Sequence, residues 1–180
     1  PKVLRKSWDD AQDRSAAEFL RHWHVIGPFK TDAPGKITLQ FPTPIDQEFA
    51  RLGDGSVDLK STYQLNGQVL SWKKAKGNNR NGYVNFTRVI GSYEWCVGYG
   101  YAEIESIHPR DTVLRCGSDD GIAVWLNGKQ VHVNEVGRGY EANSDHTPIH
   151  LHAGINRILV KIDNYTSGWG FGISIPHPIM

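Results

Sequence analysis

Asn127-Gly128 constrains this chain more than any other dipeptide, because it joins two alternating apolar runs, Ile122–Leu126 and Gln130–Asn134. A two-residue hairpin turn needs positive φ at both central positions, and Asn-Gly meets that demand best. Such a turn fixes the register, and residues directly opposite share a face. The expected pairs are Leu126 with Lys129, Trp125 with Gln130, Val124 with Val131, Ala123 with His132 and Ile122 with Val133. One face then carries Ile122, Val124, Leu126, Val131 and Val133 and belongs to a core. The other carries Trp125, Gln130 and His132, with Asn134 near Gly121. A tryptophan among polar groups on the non-core face needs either a covering segment or a ligand.

The same period-2 signal recurs along most of the chain. Strands are expected at Val69–Lys74, Gly82–Ile90, Tyr93–Ser106, Asp111–Cys116, Thr147–His152, Arg157–Asp163 and Gly170–Ile175. Arg21–Phe29 is expected as a strand that stops at Gly27-Pro28. Leu65-Asn66-Gly67-Gln68 reads as a second hairpin turn. No helix long enough for a βαβ crossover separates these segments, so the pairing should be antiparallel. Helical signals are confined to Asp9–Leu20, behind the acidic capping pattern of Ser7, and to Pro44–Leu52, which Gly53 ends. The fold class that follows is all-β: a two-sheet antiparallel β-sandwich (jelly roll) with a short N-terminal helical lead-in, in a single domain over residues 1–180.

Composition removes several function classes. The 20 basic and 19 acidic residues nearly cancel, and no basic block stands out, which argues against binding nucleic acid through its phosphates. The apolar runs are too short for a membrane-spanning helix. No Gly-x-Ser-x-Gly nucleophile elbow occurs. Cys96 and Cys116 are too few for a disulfide framework, and by themselves for a zinc site. A single bridge between them and two buried free thiols both stay open.

The block from Gly117-Ser118-Asp119-Asp120-Gly121 to Asn127-Gly128 is followed by Gly154-Ile155-Asn156-Arg157-Ile158-Leu159-Val160 and by Gly168-Trp169-Gly170-Phe171. With the opening Trp23-His24-Val25-Ile26-Gly27-Pro28-Phe29, this order resembles the jelly-roll carbohydrate-binding modules of secreted bacterial polysaccharide-active proteins. Those modules are similar to the galactose-binding-domain-like superfamily and to the sugar-binding sandwich of some β-galactosidases. The resemblance implies a carbohydrate ligand, a place within a larger protein, and a secreted, cell-surface or periplasmic location. Asp119-Asp120 also resembles the paired aspartates of protective-antigen-type lectin domains, which implies calcium as a cofactor. The alternative for the same pair is a turn role, accepting backbone N–H groups ahead of Gly121.

Sugar rings offer apolar C–H faces that stack on aromatic side chains, while their hydroxyls need planar polar partners. The loop from Asn134 to Asp145 is long, polar and glycine-containing, and long loops in compact domains often carry function. The carbohydrate-binding set expected here is Trp125, His132, Asn134, Arg138, Tyr140 and Asp145, with Asp119 and Asp120 as calcium ligands. Trp23, Trp95 and Trp169 are expected to pack. His22-x-His24 and His150-x-His152 each put two imidazoles on one strand face, a metal-holding pattern only if further ligands converge. The expected function is binding without chemistry. A sandwich that docks onto a neighbouring catalytic domain through the Trp125 face is one rival. A small polysaccharide lyase or hydrolase drawing an acid/base pair from the carboxylates Glu94, Glu103, Glu105, Asp119, Asp120, Glu135, Glu141 and Asp145 is the other.

Overall fold

Asn127 and Gly128 adopt φ values of 52° and 85°, so the turn forms as its residues require. It joins β8 (Ile122–Leu126) to β9 (Lys129–Asn134). The first two pairs, Leu126 with Lys129 and Trp125 with Gln130, stand in the expected register. Beyond them a β-bulge intervenes: Val124 faces His132, Ala123 faces Val133 and Ile122 faces Asn134. Val131 is the extra residue, and one extra residue moves every later side chain to the opposite face. His132 and Asn134 therefore lie on the face of Val124 and Ile122, not on that of Trp125. Val133, expected in the core, is 52% exposed.

The structure, a computed structural model, describes residues 19–30, 35 and 37–176. The remaining strands are β1 (His22–Lys30), β2 (Thr62–Leu65), β3 (Gln68–Ser71), β4 (Lys73–Lys76), β5 (Val84–Asn85), β6 (Cys96–Ser106), β7 (Arg110–Asp119), β10 (Asp145–Leu151), β11 (Gly154–Asn164) and β12 (Gly170–Ser174). A six-stranded sheet has the order β4-β1-β6-β11-β8-β9, and a four-stranded sheet the order β10-β7-β12-β5. Their strand pairs are antiparallel, and the architecture is the expected all-β sandwich. Residues 1–18 of the expected lead-in helix lie outside the described residues, while Leu20 donates its N–H to Ile173 O at 2.9 Å. No helix among the described residues is long and apolar enough to cross a membrane.

Between the sheets, Trp23, Val25, Phe86, Val124, Ile158, Val160, Trp169 and Phe171 form the main core. Gly98 and Gly100 of β6 point inward against it. A Cβ on Gly100 would stand 2.5 Å from the Phe171 ring, and one on Gly98 would stand 2.9 Å from Trp169. The bare backbone there lets large rings fill the space between the layers.

A second core lies on the outer face of the six-stranded sheet. There Ile26, Phe29, Val97, Tyr99, Tyr101 and Leu159 pack against Ile37, Ile45, Phe49, Leu70 and Trp72. The cover consists of helix α1 (Pro44–Leu52) and the β2–β3 hairpin. Thr43 caps α1: its hydroxyl accepts from Asp46 N while Asp46 accepts from Thr43 N, a reciprocal box. Lys161, only 3% exposed, reaches from β11 to donate to Phe41 O at 2.7 Å and to Asp46 Oδ2 at 2.9 Å. Tyr99 donates to Asp46 Oδ1 at 2.7 Å. One carboxylate thus both caps the helix and pins it to the sheet.

Two further expectations are corrected. The first strand does not stop at Gly27-Pro28; β1 continues through it to Lys30 with a register shift between Ile26 and Phe29. Within Gly82–Ile90 only Val84–Asn85 is strand. Asn85 then caps the one-turn helix α2 (Phe86–Val89), its side chain accepting from Arg88 N at 3.2 Å.

Candidate functional site

The bulge gathers four of the expected site residues into one cluster at the edge where β9 meets β10. Asp145 opens β10 opposite Cys116 of β7. Arg138 grips it with both arms, Nη1 to Oδ1 at 2.9 Å and Nη2 to Oδ2 at 2.7 Å. His132 Nε2 lies 3.1 Å from Asp145 Oδ2, and Asn134 Nδ2 donates at 3.3 Å. Two further donors of Arg138 go to Ser118 O and Ser118 Oγ. Burial alone would raise the Asp145 carboxyl, but the bonds from Arg138, His132 and Asn134 outweigh it and hold it at about 2. Burial first, then the charge of Asp145, pushes the Cys116 thiol up to about 12. These polar groups spend their bonds on one another, which fastens the 135–144 loop.

Trp125 and Tyr140 stand apart from that cluster. Trp125 lies on the outer face of the six-stranded sheet, edge-on to Phe49 of α1 at 6.1 Å. Its partner is a covering segment. Tyr140 lies flat on the outer face of the four-stranded sheet, over Gly117 and Gly172. Its ring is 4.5 Å from Tyr83, and its hydroxyl donates to Asn81 O.

Asp119 and Asp120 sit where β7 turns into β8. Asp120 takes the backbone N–H of Arg138 on Oδ1 and that of Tyr165 on Oδ2, each at 2.9 Å. It thereby ties two loops together, in the manner of a turn aspartate. Asp119 is raised to about 6 by burial and by the charge of Asp120. Asp163, 1% exposed, is also raised to about 6, by burial first and with Asp120 and Glu135 adding to it. Its Oδ1 accepts from Gly121 N at 2.7 Å, while Oδ2 has no hydrogen-bond partner among the described residues. The Asp119–Asp120 pair is an all-oxygen set of the kind a hard cation such as calcium takes, but no third acidic ligand converges on it among the described residues.

Beside Asp120 stands an aromatic pair: Trp95 packs against the outer-face core as expected, but its pairing with Tyr165 was not legible in the sequence. Trp95 stacks on Tyr165 at 5.5 Å and 26°. Both rings are half-buried, and Trp95 N donates to Tyr165 O at 3.0 Å. Trp95 has φ 50°, a left-handed conformation that costs a bulky residue energy and that clusters at functional sites. The available signal was the 164–168 loop, Asn-Tyr-Thr-Ser-Gly, which mixes an aromatic with polar and flexible residues as sugar-contacting loops do.

The histidine pairs do not converge. His24 lies on β1 of one sheet and His150 on β10 of the other, where its Nδ1 meets Asp111 at 2.8 Å. Glu103 of β6 accepts from Tyr101 on the outer face of the six-stranded sheet, far in the fold from the Asp119 turn. Cys96 and Cys116 are both buried and free.

No known protein family matches the chain, and no curated protein does. Among solved structures it is similar to the β-glucuronidase of Ruminococcus gnavus, at 8% identity and a TM-score of 0.44, over 89% of this chain and 29% of that one. It is similar to the GH31 α-xylosidase of Xanthomonas citri, at 12% identity and a TM-score of 0.43, over 66% and 14%. It is also similar to the GH26-CBM35 β-(1,4)-mannanase of Podospora anserina, at 16% identity and a TM-score of 0.36, over 70% and 27%. The chain thus spans less than a third of each of these structures, and its remote neighbours are glycoside hydrolases and their associated domains.

Proposed function

We propose that this chain is a carbohydrate-binding module that holds a poly- or oligosaccharide without altering it, at the loop end formed by Trp95, Tyr165, Asp119 and Asp120. The observation that carries this is the half-exposed Trp95–Tyr165 stack set beside the Asp120 carboxylate, which accepts from Tyr165 N. A stacked ring pair offers an apolar platform to the C–H face of a pyranose, and carboxylates accept from its hydroxyls. Calcium would bind at the same turn: Asp119 and Asp120, close enough for the charge of one to raise the other, would hold it together with backbone carbonyl oxygens. When bound, the ion offers its open coordination positions to vicinal hydroxyls. The protein's own part is to fix the turn, which Asp120 does through Arg138 N and Tyr165 N. Such a module would serve as an ancillary part of a larger secreted or surface protein.

A glycan panel read with and without a calcium chelator tests this, followed by calorimetry on Tyr165→Ala and Asp119→Asn. A hit should weaken about ten- to a hundredfold in Tyr165→Ala, the usual cost of one lost stacking ring. Undiminished binding by both variants would place the ligand elsewhere. Loss only in Arg138→Ala would return the site to the Asp145 cluster.

A further inference from the structure

A different set of side chains assembles at the β9–β10 edge, and its chemistry differs from that of the Asp119 turn. Among the described residues, Cys116, His132 and Asp145 are the group of three potential ligands whose donor atoms all lie within 4.8 Å of one another. Cys116 Sγ is 4.0 Å from Asp145 Oδ2, and His132 Nε2 is 3.1 Å from the same oxygen. Zinc–nitrogen and zinc–oxygen bonds of about 2.0 Å and a zinc–sulfur bond of about 2.3 Å put tetrahedral ligand atoms roughly 3.3–3.6 Å apart. Shifts of about 1 Å or less, taken mainly by the partly buried His132 and Asp145 side chains against the buried Cys116, close that gap. We propose that Cys116, His132 and Asp145 bind a single borderline-soft divalent ion of the zinc class, with a water in the fourth position.

Ligand identity selects the metal. A thiolate and an imidazole suit zinc, cobalt or copper and give calcium almost nothing, since calcium takes oxygen. The three ligands come from β7, β9 and the start of β10, so the site ties both sheets together at their open edge. Arg138 does not close it. Its fork holds both oxygens of Asp145 from the loop side, a second contact of the kind that orients metal-bound carboxylates. Thiolate and carboxylate contribute two negative charges, which neutralise the dication and leave the single positive charge of the guanidinium. On binding, the Cys116 thiol gives its proton to solvent, and the His132–Asp145 hydrogen bond is replaced by two bonds to the ion. The ion enters on the His132 and Asp145 side, where the side chains are 17% and 13% exposed.

The test uses the whole chain, reduced, untagged and stripped of metal, titrated separately with zinc, cobalt(II) and calcium. Zinc should bind one to one and raise the melting temperature. Cobalt(II) should show a sulfur-to-metal charge-transfer band together with the strong visible absorption of a four-coordinate site. His132→Gln should cut zinc affinity at least tenfold, and Cys116→Ser should abolish the charge-transfer band. Should Cys116→Ser fail to fold, the band in the wild-type protein and the weaker zinc affinity of His132→Gln still decide the question. Failure of zinc to bind, a cobalt(II) spectrum without the thiolate band, or zinc affinity unchanged in His132→Gln would each overturn the proposal. Calcium serves as the contrasting ion: a calcium effect that survives His132→Gln belongs to the Asp119 turn and leaves this outcome separate.

Discussion

Lys161→Met removes the cation that holds α1 to the six-stranded sheet, while a side chain of similar length still fills its slot. In the native protein, Lys161 Nζ is bonded to Asp46 Oδ2 and Phe41 O and lies 5.5 Å over the Tyr99 ring. Stranding one half of a buried ion pair costs about 3–5 kcal/mol. The Asp46 side chain keeps 33% exposure and the Tyr99 hydroxyl, so water and that hydrogen bond recover a part, leaving about 2 kcal/mol. The unpaired Phe41 carbonyl adds about 1 kcal/mol. The expected loss is therefore about 3 kcal/mol, read as a lower urea midpoint at unchanged slope. Hydrogen exchange should place that loss in α1, with the strands β6 and β11 still protected. Adding Asp46→Asn should restore about 1–2 kcal/mol, because no charge is then left without its partner. A Lys161→Met protein as stable as wild type would refute the reasoning. The cover would then be held by its apolar contacts and by the Tyr99 hydrogen bond to Asp46.

Replacing Asn127-Gly128 by Ala-Ala should cost about 2–3 kcal/mol, from two positive-φ positions and from the bond that Arg157 N donates to Asn127 Oδ1 at 2.8 Å; unchanged thermal unfolding would contradict it. Trp125→Ala should destabilise the fold by about 3 kcal/mol through lost packing on Phe49 and leave saccharide binding intact, and loss of binding at full stability would reverse that assignment. Asp163 has a folded pKa of about 6, above its ordinary value of 3.8, so it contributes stability below pH 4 that disappears as pH rises through 6. Asp163 should thus account for about 3 kcal/mol of the fall in stability across that window, in which Asp119 titrates as well, and Asp163→Asn should make the slope shallower; equal slopes in the two proteins would exclude Asp163 as a source.

The sandwich was legible because alternation, turn residues and the lack of long helices all pointed the same way. Particular failures have particular causes. The bulge at Val131 leaves no mark in a run where every residue suits a strand, yet it carries His132 and Asn134 through the sheet and away from Trp125. Local turn chemistry gave the Asn127 hairpin; only tertiary packing could show that the covering segment runs from Ile37 to Trp72. A hint did exist in β6, where Tyr99 and Tyr101 alternate with Gly98 and Gly100, so that neither face reads as polar. At the candidate site, Asp119 and Asp120 were visible as a pair. Trp95 and Tyr165 are 70 residues apart in sequence, and no local pattern couples them. Arg138 and Asp145 were placed near one another correctly, but their mutual grip, a bidentate ion pair, is a fact of geometry alone.

The cover over the outer face has a kinetic consequence. It leaves the chain after β1 and rejoins it at β4, two strands that lie side by side, with Val25 opposite Lys73. Its two ends are therefore anchored together, and it can lift as one flap while the inter-sheet core stays closed. An open flap would bare Ile26, Phe29, Val97, Tyr99, Tyr101 and Leu159 on the adjacent strands β1, β6 and β11, a continuous apolar plane of the kind on which chains self-associate. Aggregation of this protein would then begin from a nearly native state, and its rate would follow the grip of a single lysine on a single helix cap.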